Sequence, residues 1–139
     1  MATSKVEVTD EGDRRYVRLS LQPVPAARPR VGKYGTFYPK TYATWKATAK
    51  EMLEPFRMET PYTHPTRVHI ECIVSKPAKP ARSWPRGDVD NYAKSIMDAV
   101  TSSGTYWYDD VCVTAMYATK RYVEPGEEPH ITIGLYKDD

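Results

Sequence analysis

Apolar and polar residues alternate along several short stretches of this 139-residue chain. A period of two is typical of a β-strand that buries one face. The clearest case runs from Arg67 to Val74, where Val68, Ile70 and Cys72 fall on one face together with Val74. The same reasoning predicts strands over residues 16–21, 111–122 and 130–136.

Two other segments repeat their apolar residues every three or four positions, as a helix with one buried face does. The first predicted helix runs from Thr41 to about Phe56, where Pro55 ends it. Its expected buried stripe is Tyr42, Trp45, Ala49, Met52 and Leu53. The second begins near Asp88 and stops near Gly104. Its stripe is Val89, Tyr92, Ala93, Ile96, Met97 and Val100.

These elements follow one another in the order β-α-β-α-β-β. That order predicts a single α/β (α+β) domain over residues 1–139, with a small mixed sheet and helices packed on one face. Residues 1–14 are polar and are expected to be partly frayed. Residues 22–29 and 76–85 are rich in proline and are expected to be loops, and residues 30–39 an exposed loop or short hairpin.

The formal net charge is small, at +2, but the charges are segregated along the chain. Residues 28–50 contain six basic residues and no acidic one, and a second basic run leads into a group of aspartates. Such segregation builds a local positive field that suits the phosphate backbone of a nucleic acid. The second run consists of Lys76, Lys79, Arg82 and Arg86.

Cys72 and Cys112 have no disulfide-framework spacing and are expected to be reduced residues of the core. A zinc site at His69 and Cys72 is disfavoured, because strand residues three apart point to opposite faces. No apolar run approaches the length of a membrane span, and the N-terminus lacks the apolar core of a signal peptide. We therefore expect a soluble, cytoplasmic protein.

The candidate chemistry lies in residues 86–110. Asp88 and Asp90 stand two residues apart at a helix entrance, and Asp109 and Asp110 follow the helix. Two such carboxylates, joined by a third from a neighbouring strand, suit a divalent cation that prefers oxygen ligands. Lys94, one turn after Asp90, would lie where an anionic phosphate could be held.

Each of these residues also has an ordinary structural explanation. Asp88 could be a helix cap, Asp90 could complement the helix dipole, and Lys94 could form a surface pair. Capping does not, however, explain the return of two further aspartates. An EF-hand is excluded because its glycine and terminal glutamate are missing at the required spacing. The Asp-Val-Asp triplet also occurs in nucleotide-sugar glycosyltransferases, but 139 residues leave little room for that fold.

The run GDVDNYAKSIMDAV, followed by YWYDD, resembles the signature of the RusA-type Holliday junction resolvases, the crossover junction endodeoxyribonucleases of bacteria and their phages. The segment RPRVGKYGTFYPK is also similar to one branch of that family, and the resemblance covers about residues 16–136. It implies that Asp88, Asp90 and Asp110 are the catalytic acids, that Lys94 is the catalytic lysine and that Asn91 supports them. Asp109 would then act behind the site or cap the turn.

The resemblance further implies dependence on Mg2+, with Mn2+ as an expected substitute, and an intertwined homodimer that acts on four-way DNA junctions. Two identical sites would resolve a junction by paired symmetric nicks. The expected location is a bacterial cell, uninfected or phage-infected. Two alternatives stay open: a non-catalytic junction-binding protein, and a nuclease for branched DNA in general.

Contacts to the DNA backbone are expected from the basic residues. Aromatic residues in the same regions are expected to stack on unpaired bases at the crossover. The expected backbone contacts are Arg28, Arg30, Lys33, Lys76, Lys79, Arg82 and Arg86, and the expected stacking residues are Tyr34, Phe37, Trp84 and Tyr106.

Overall fold

The computed structural model describes residues 5–27, 30–32, 35–37 and 40–138. Within these ranges the chain forms seven strands, two α-helices and two single 3-10 turns. The strands are β1 (Val6–Asp10), β2 (Arg14–Leu19), β3 (Arg30–Gly32), β4 (Gly35–Phe37), β5 (Thr66–Val74), β6 (Val113–Tyr122) and β7 (His130–Lys137). The helices are α1 (Lys40–Leu53) and α2 (Val89–Ser103), and the 3-10 turns are Glu54–Phe56 and Asp110–Cys112.

Five strands form one sheet in the order β1-β2-β7-β5-β6, and β3 and β4 form a separate two-stranded sheet. Neighbouring strands of the sheet are antiparallel except β5 and β6, which are parallel and are joined through α2. A parallel pair needs such a crossover because the chain has to return to the starting edge. This confirms the predicted α+β class and its mixed sheet.

Both helices bury their apolar stripes against the same face of the sheet. Tyr42, Trp45, Ala49 and Leu53 of α1 are buried with Tyr92, Ala93, Ile96 and Val100 of α2 and with the inward residues of β2, β5 and β7. The predicted stripes are therefore confirmed, apart from Val89, which is exposed at the entrance of α2. Cys72 lies in this core, where burial raises the pKa of its thiol to about 12.

Residues 6–10 lie within the segment that was expected to be partly frayed. They form β1, which pairs with β2 through a tight turn closed by the hydrogen bond from Glu11 N to Arg14 O, at 2.8 Å. Asp10 Oδ1 accepts a hydrogen bond from Gly12 N in the same turn, at 3.0 Å. The turn thus satisfies polar groups within the segment that was expected to be partly frayed.

Several element boundaries also differ from the sequence prediction by two or three residues. The strand predicted from Val111 begins at Val113, because Asp110–Cys112 forms a 3-10 turn. Of the two possibilities for residues 30–39, the described residues 30–32 and 35–37 pair as two antiparallel strands, which agrees with the hairpin. No helix in the described part of the chain is long and apolar enough to span a membrane.

Candidate active site

The entrance of α2 is shaped by the glycine before it. Gly87 has a φ of 91°, and a Cβ atom there would lie 3.2 Å from Tyr92 Cε2 and 3.3 Å from Pro25 Cγ. An L side chain is disfavoured by that φ and has little room. Gly87 therefore lets the chain turn sharply into α2, so that Asp88 lies immediately before the first residue of the helix.

Asp88 occupies the N-cap position, but its carboxylate does not cap the helix. Its backbone carbonyl instead accepts hydrogen bonds from Asn91 N at 3.0 Å and Tyr92 N at 3.2 Å. Asp88 and Asp90 are both exposed. Two carboxylates thus face solvent at the positive end of the helix dipole. The ordinary capping explanation for Asp88 does not hold in this structure.

Backbone carbonyls around this entrance are held by side chains. Lys120 Nζ, on β6, donates to Pro85 O at 2.8 Å and also to Gly87 O. Tyr92 Oη donates to Arg86 O at 2.9 Å. These bonds fix the segment that carries Asp88. Sequence analysis missed Lys120, because its helix-facing position beside buried Cys72 depends on the pairing of β6 with β5, which no local pattern contains.

Lys94 lies one turn beyond Asp90, on the exposed side of α2. Its Nζ is 3.5 Å from Asp98 Oδ2, an i,i+4 pair with most of the lysine side chain in solvent. Asp98 Oδ2 also accepts a hydrogen bond from Tyr42 Oη at 3.3 Å. The lysine is therefore near the helix entrance and is loosely held, since an exposed pair of this kind contributes at most about 1 kcal/mol.

Asp109 and Asp110 have different environments. Asp109 Oδ1 accepts a hydrogen bond from Val111 N at 3.2 Å and so caps the 3-10 turn, which is one of the two roles expected for it. Asp110 is the first residue of that turn and is exposed. Its carboxylate accepts no hydrogen bond from the described residues. Asp110 is thus the member of the pair that is available to a ligand.

The third carboxylate lies at the opposite end of α2 from the first two. Lys120, near the end of β6, contacts Gly87, whereas Asp110 precedes the start of β6. The distance from Val113 to Lys120 along the strand is about 23 Å at about 3.3 Å per residue. Among the described residues, no three His, Cys, Asp or Glu side chains are close enough to hold a metal ion. One chain therefore does not bring Asp110 to Asp88 and Asp90.

The edge strand β6 leaves several large side chains exposed. Its one neighbour in the sheet is β5, so its other edge is unpaired in the chain as described. Val111 is 79% exposed and Tyr108 is 68% exposed just before the strand, and Met116 is exposed within it. Apolar residues gathered along an open edge are typical of a surface that a partner covers.

The basic loop before α2 borders a cavity of about 570 Å³. Lys79, Arg82, Arg86 and Trp84 line it together with Tyr92, and the first four are exposed. Lys76 is exposed in the same loop. Arg28, Lys33 and Tyr34 lie outside the described residues, as do the side chains of Arg30 and Phe37. The expected DNA contacts that can be located therefore flank Asp88.

Tyr106 does not have the stacking role expected from the sequence. It is fully buried, its backbone carbonyl accepts a hydrogen bond from Tyr62 N at 2.7 Å, and the Arg15 guanidinium lies 5.7 Å from its ring centroid. Burial raises the pKa of its hydroxyl to about 12. The loop after α2 folds inward and makes this aromatic side chain part of the core.

Comparison with known proteins supports the resemblance seen in the sequence. No curated protein matches the chain. The family described as Endodeoxyribonuclease RusA matches residues 20–136, which include both helices, the basic loop and all the candidate site residues. The match covers most of the chain, so this protein belongs to the RusA endodeoxyribonuclease family, whose members are Holliday junction resolvase nucleases.

Proposed function

We propose that this protein is a Mg2+-dependent, structure-specific endonuclease that resolves four-way DNA junctions by paired symmetric nicks as a homodimer. The observation that carries the proposal is a pair of exposed carboxylates, those of Asp88 and Asp90, next to the basic loop before α2. The Asp88 carboxylate is not used to cap the helix. Carboxylates repel phosphate unless a cation lies between them, so this arrangement favours catalysis over simple DNA binding.

Oxygen-donor side chains suit Mg2+, and Mn2+ is an expected substitute. One chain supplies two of the three expected ligands, and a second copy would supply the third, Asp110. When bound, the metal ion would polarise the phosphate and lower the pKa of the attacking water. The protein's own contribution is to hold Asp88 and Asp90 at the rigid end of α2 and to complete the set through the partner subunit.

An antiparallel pairing of the β6 edges of two copies would bring the third carboxylate to the other two. In such a pair the start of one strand meets the end of the other. Asp110 precedes the start of β6, and Lys120, which binds Gly87 O next to Asp88, lies near its end. A two-fold axis at the middle of β6 would therefore bring Asp110 towards the partner subunit's Asp88, and the reverse contact would form at the other end.

The exposed apolar residues beside β6 support this surface. Tyr108, Val111 and Met116 lie along the edge that the second copy would cover. Unpaired strand edges are normally protected in stable proteins, and pairing with an identical edge satisfies the backbone groups at once. A two-fold dimer then has two identical sites, which is the requirement for two symmetric cuts.

Other residues would act on the DNA itself. Lys94 would neutralise charge that develops on the phosphate, and Asn91 would support Asp88 and Asp90. Positive side chains beside the entrance would bind the backbone, with affinity that falls as salt rises. Those proposed contacts are Lys76, Lys79, Arg82 and Arg86, together with Arg28, Arg30 and Lys33 outside the described side chains.

A cleavage assay on matched substrates tests the proposal. Four-way junction, fork, flap and linear duplex should be incubated with Mg2+, Mn2+ or EDTA, while sedimentation gives the mass without DNA. We expect a dimer that cuts the four-way junction at paired positions in Mg2+ and does nothing in EDTA. Binding without cutting would support the non-catalytic alternative, and equal rates on all branched substrates would support the broader nuclease. A monomer at micromolar concentration would contradict the paired-nick mechanism.

A further inference from the structure

The face of the sheet that the helices leave open carries a line of aromatic side chains, one from each of four neighbouring strands. They are Tyr16 on β2, Tyr136 on β7, His69 on β5 and Tyr117 on β6, and we call them the aromatic row. The ring centroids are 5.8 Å apart from Tyr16 to Tyr136, 4.9 Å from Tyr136 to His69 and 5.8 Å from His69 to Tyr117. The row crosses three interstrand gaps, or about 14 Å.

The row is accessible to a ligand. Tyr117 is 62% exposed and Tyr16 is 37% exposed, while His69 and Tyr136 are partly exposed. Gly134, paired in register with His69, makes room for it: a Cβ atom there would lie 3.0 Å from the Tyr136 ring. A hydrogen bond with Tyr136, and a second with Arg14, hold the pKa of the Tyr16 hydroxyl below its usual range. The rings are therefore tied into one surface.

Arginine side chains accompany the row. The Arg67 guanidinium carbon lies 4.8 Å from the Tyr136 ring centroid, and Arg14 and Arg18 are exposed on the same face of β2. No ion pair between described residues involves any of these three arginines. Guanidinium groups beside aromatic faces bind phosphate and also stack on bases.

Acidic residues on this face are few and already bonded. Glu7 Oε1 is 2.8 Å from Lys5 Nζ, and Glu71 Oε2 accepts a hydrogen bond from Thr132 Oγ1 at 3.3 Å. A shallow cavity of about 270 Å³ lies between the row and these polar groups.

We propose that the aromatic row is a binding platform for single-stranded DNA, on which unpaired bases stack while Arg14, Arg18 and Arg67 hold the phosphates. Open four-stranded sheet faces with aromatic side chains bind two or three unpaired bases in this way. A duplex keeps its base faces covered by stacking and offers the row nothing but phosphates. Unpaired DNA is therefore the ligand that uses both the rings and the charges.

This inference goes beyond the proposed function and does not depend on cleavage. Asp88 and Asp90 belong to the helix layer, whereas the row faces the other side of the sheet. Pairing of two β6 strands through their backbones would leave the Tyr117 ring pointing outward, because strand side chains stand perpendicular to the sheet. A junction-bound dimer could therefore hold a displaced strand on this second surface.

The test is fluorescence anisotropy with a labelled ten-nucleotide oligothymidylate and a hairpin duplex of similar length, both in EDTA so that no cutting occurs. Tyr117→Ala should weaken oligothymidylate binding at least about fivefold, the lower end of the loss for one stacked base. Tyr16→Ala combined with Tyr117→Ala should weaken it at least about 25-fold if the two losses add. Phe56→Ala and Lys50→Gln remove an exposed aromatic ring and an exposed charge on the helix side, and should change binding less than twofold.

Other outcomes would overturn the proposal. If both tyrosine variants bound oligothymidylate with wild-type affinity, the aromatic row would not be a binding surface. Loss in Arg67→Gln without loss in the tyrosine variants would mean that phosphate alone is bound. A fall in oligomeric mass in Tyr117→Ala with unchanged oligothymidylate binding would make this face a contact between copies. Circular dichroism of each variant shows whether it is folded, so that a loss of binding is not mistaken for unfolding.

Discussion

The contrast between Asp109 and Asp110 gives the sharpest single-residue prediction. Asp110 has an exposed carboxylate that accepts no hydrogen bond from the residues described, so Asp110→Asn should change the free energy of unfolding by less than about 0.5 kcal/mol. Cleavage should nevertheless fall at least about a hundredfold, the scale on which losing one electrostatic catalytic group is felt. Junction binding should persist or tighten, because one negative charge facing phosphate is removed.

Asp109 should show the opposite pattern. Its Oδ1 caps the 3-10 turn through Val111 N at 3.2 Å, and Asp109→Ala deletes that acceptor. An exposed cap contributes about 0.5–1 kcal/mol, so the melting temperature should fall by about 2–5 °C. Asp109→Asn keeps the acceptor and is the matched control, since asparagine caps as well as aspartate. Both Asp109 variants should keep cleavage within about tenfold of the wild type.

Single-turnover junction cleavage in Mg2+ and thermal melting should be measured on the same preparations. If Asp109→Asn were inactive and Asp110→Asn active, the assignment would be wrong by one residue. If both variants cut normally, the three-carboxylate site itself would have to be abandoned.

Three further predictions concern the surroundings of the site. Lys120→Met removes the hydrogen bonds to the backbone carbonyls that precede Asp88, so junction cleavage should fall about a hundredfold. Denaturant titration should show that the free energy of unfolding falls by about 1.5–3 kcal/mol. Unchanged cleavage would mean that Lys120 does not position the helix entrance. Lys94→Met should reduce single-turnover cleavage at least about tenfold. It should leave the melting temperature within about 2 °C of the wild type, since the ion pair of Lys94 with Asp98 is exposed. Cleavage at the wild-type rate would exclude Lys94 from the chemistry. Burial raises the pKa of both thiols, to about 12 for Cys72. A thiol reagent in native buffer should therefore label partly exposed Cys112 first and Cys72 only after unfolding, as read by mass spectrometry of peptides. The reverse order would contradict the core packing.

Periodicity predicted both helices and four of the five sheet strands because those segments bury one face and expose the other. It missed β1, whose short alternation is visible only once Asp10 and Gly12 are recognised as a turn. Tyr106 was misassigned because nothing local distinguishes an aromatic residue in a loop that folds inward from one that faces solvent. A hydrophobic pattern reports burial on regular elements and says little about where an irregular loop packs.

The candidate site was predictable in its residues and not in its geometry. The spacing of Asp88 and Asp90 at a helix entrance followed from the sequence, and the structure keeps both exposed. The position of Asp110 depends on the direction of α2 relative to β6. That direction follows from the parallel pairing of β5 with β6, which is a long-range contact that no local pattern contains.

Mixing two inactive variants tests the shared site most directly. Asp90→Asn and Asp110→Asn subunits, each carrying a different tag, should be unfolded, mixed in equal amounts and refolded together. Random pairing makes about half of the dimers mixed, and each mixed dimer has one site with all its carboxylates, or about one quarter of the wild-type sites. We predict that the mixture regains nicking of a four-way junction at about that level, without paired cuts, although neither variant alone cuts. A mixture as inactive as its parents, with mixed dimers demonstrated by pull-down through both tags, would contradict a site shared between subunits.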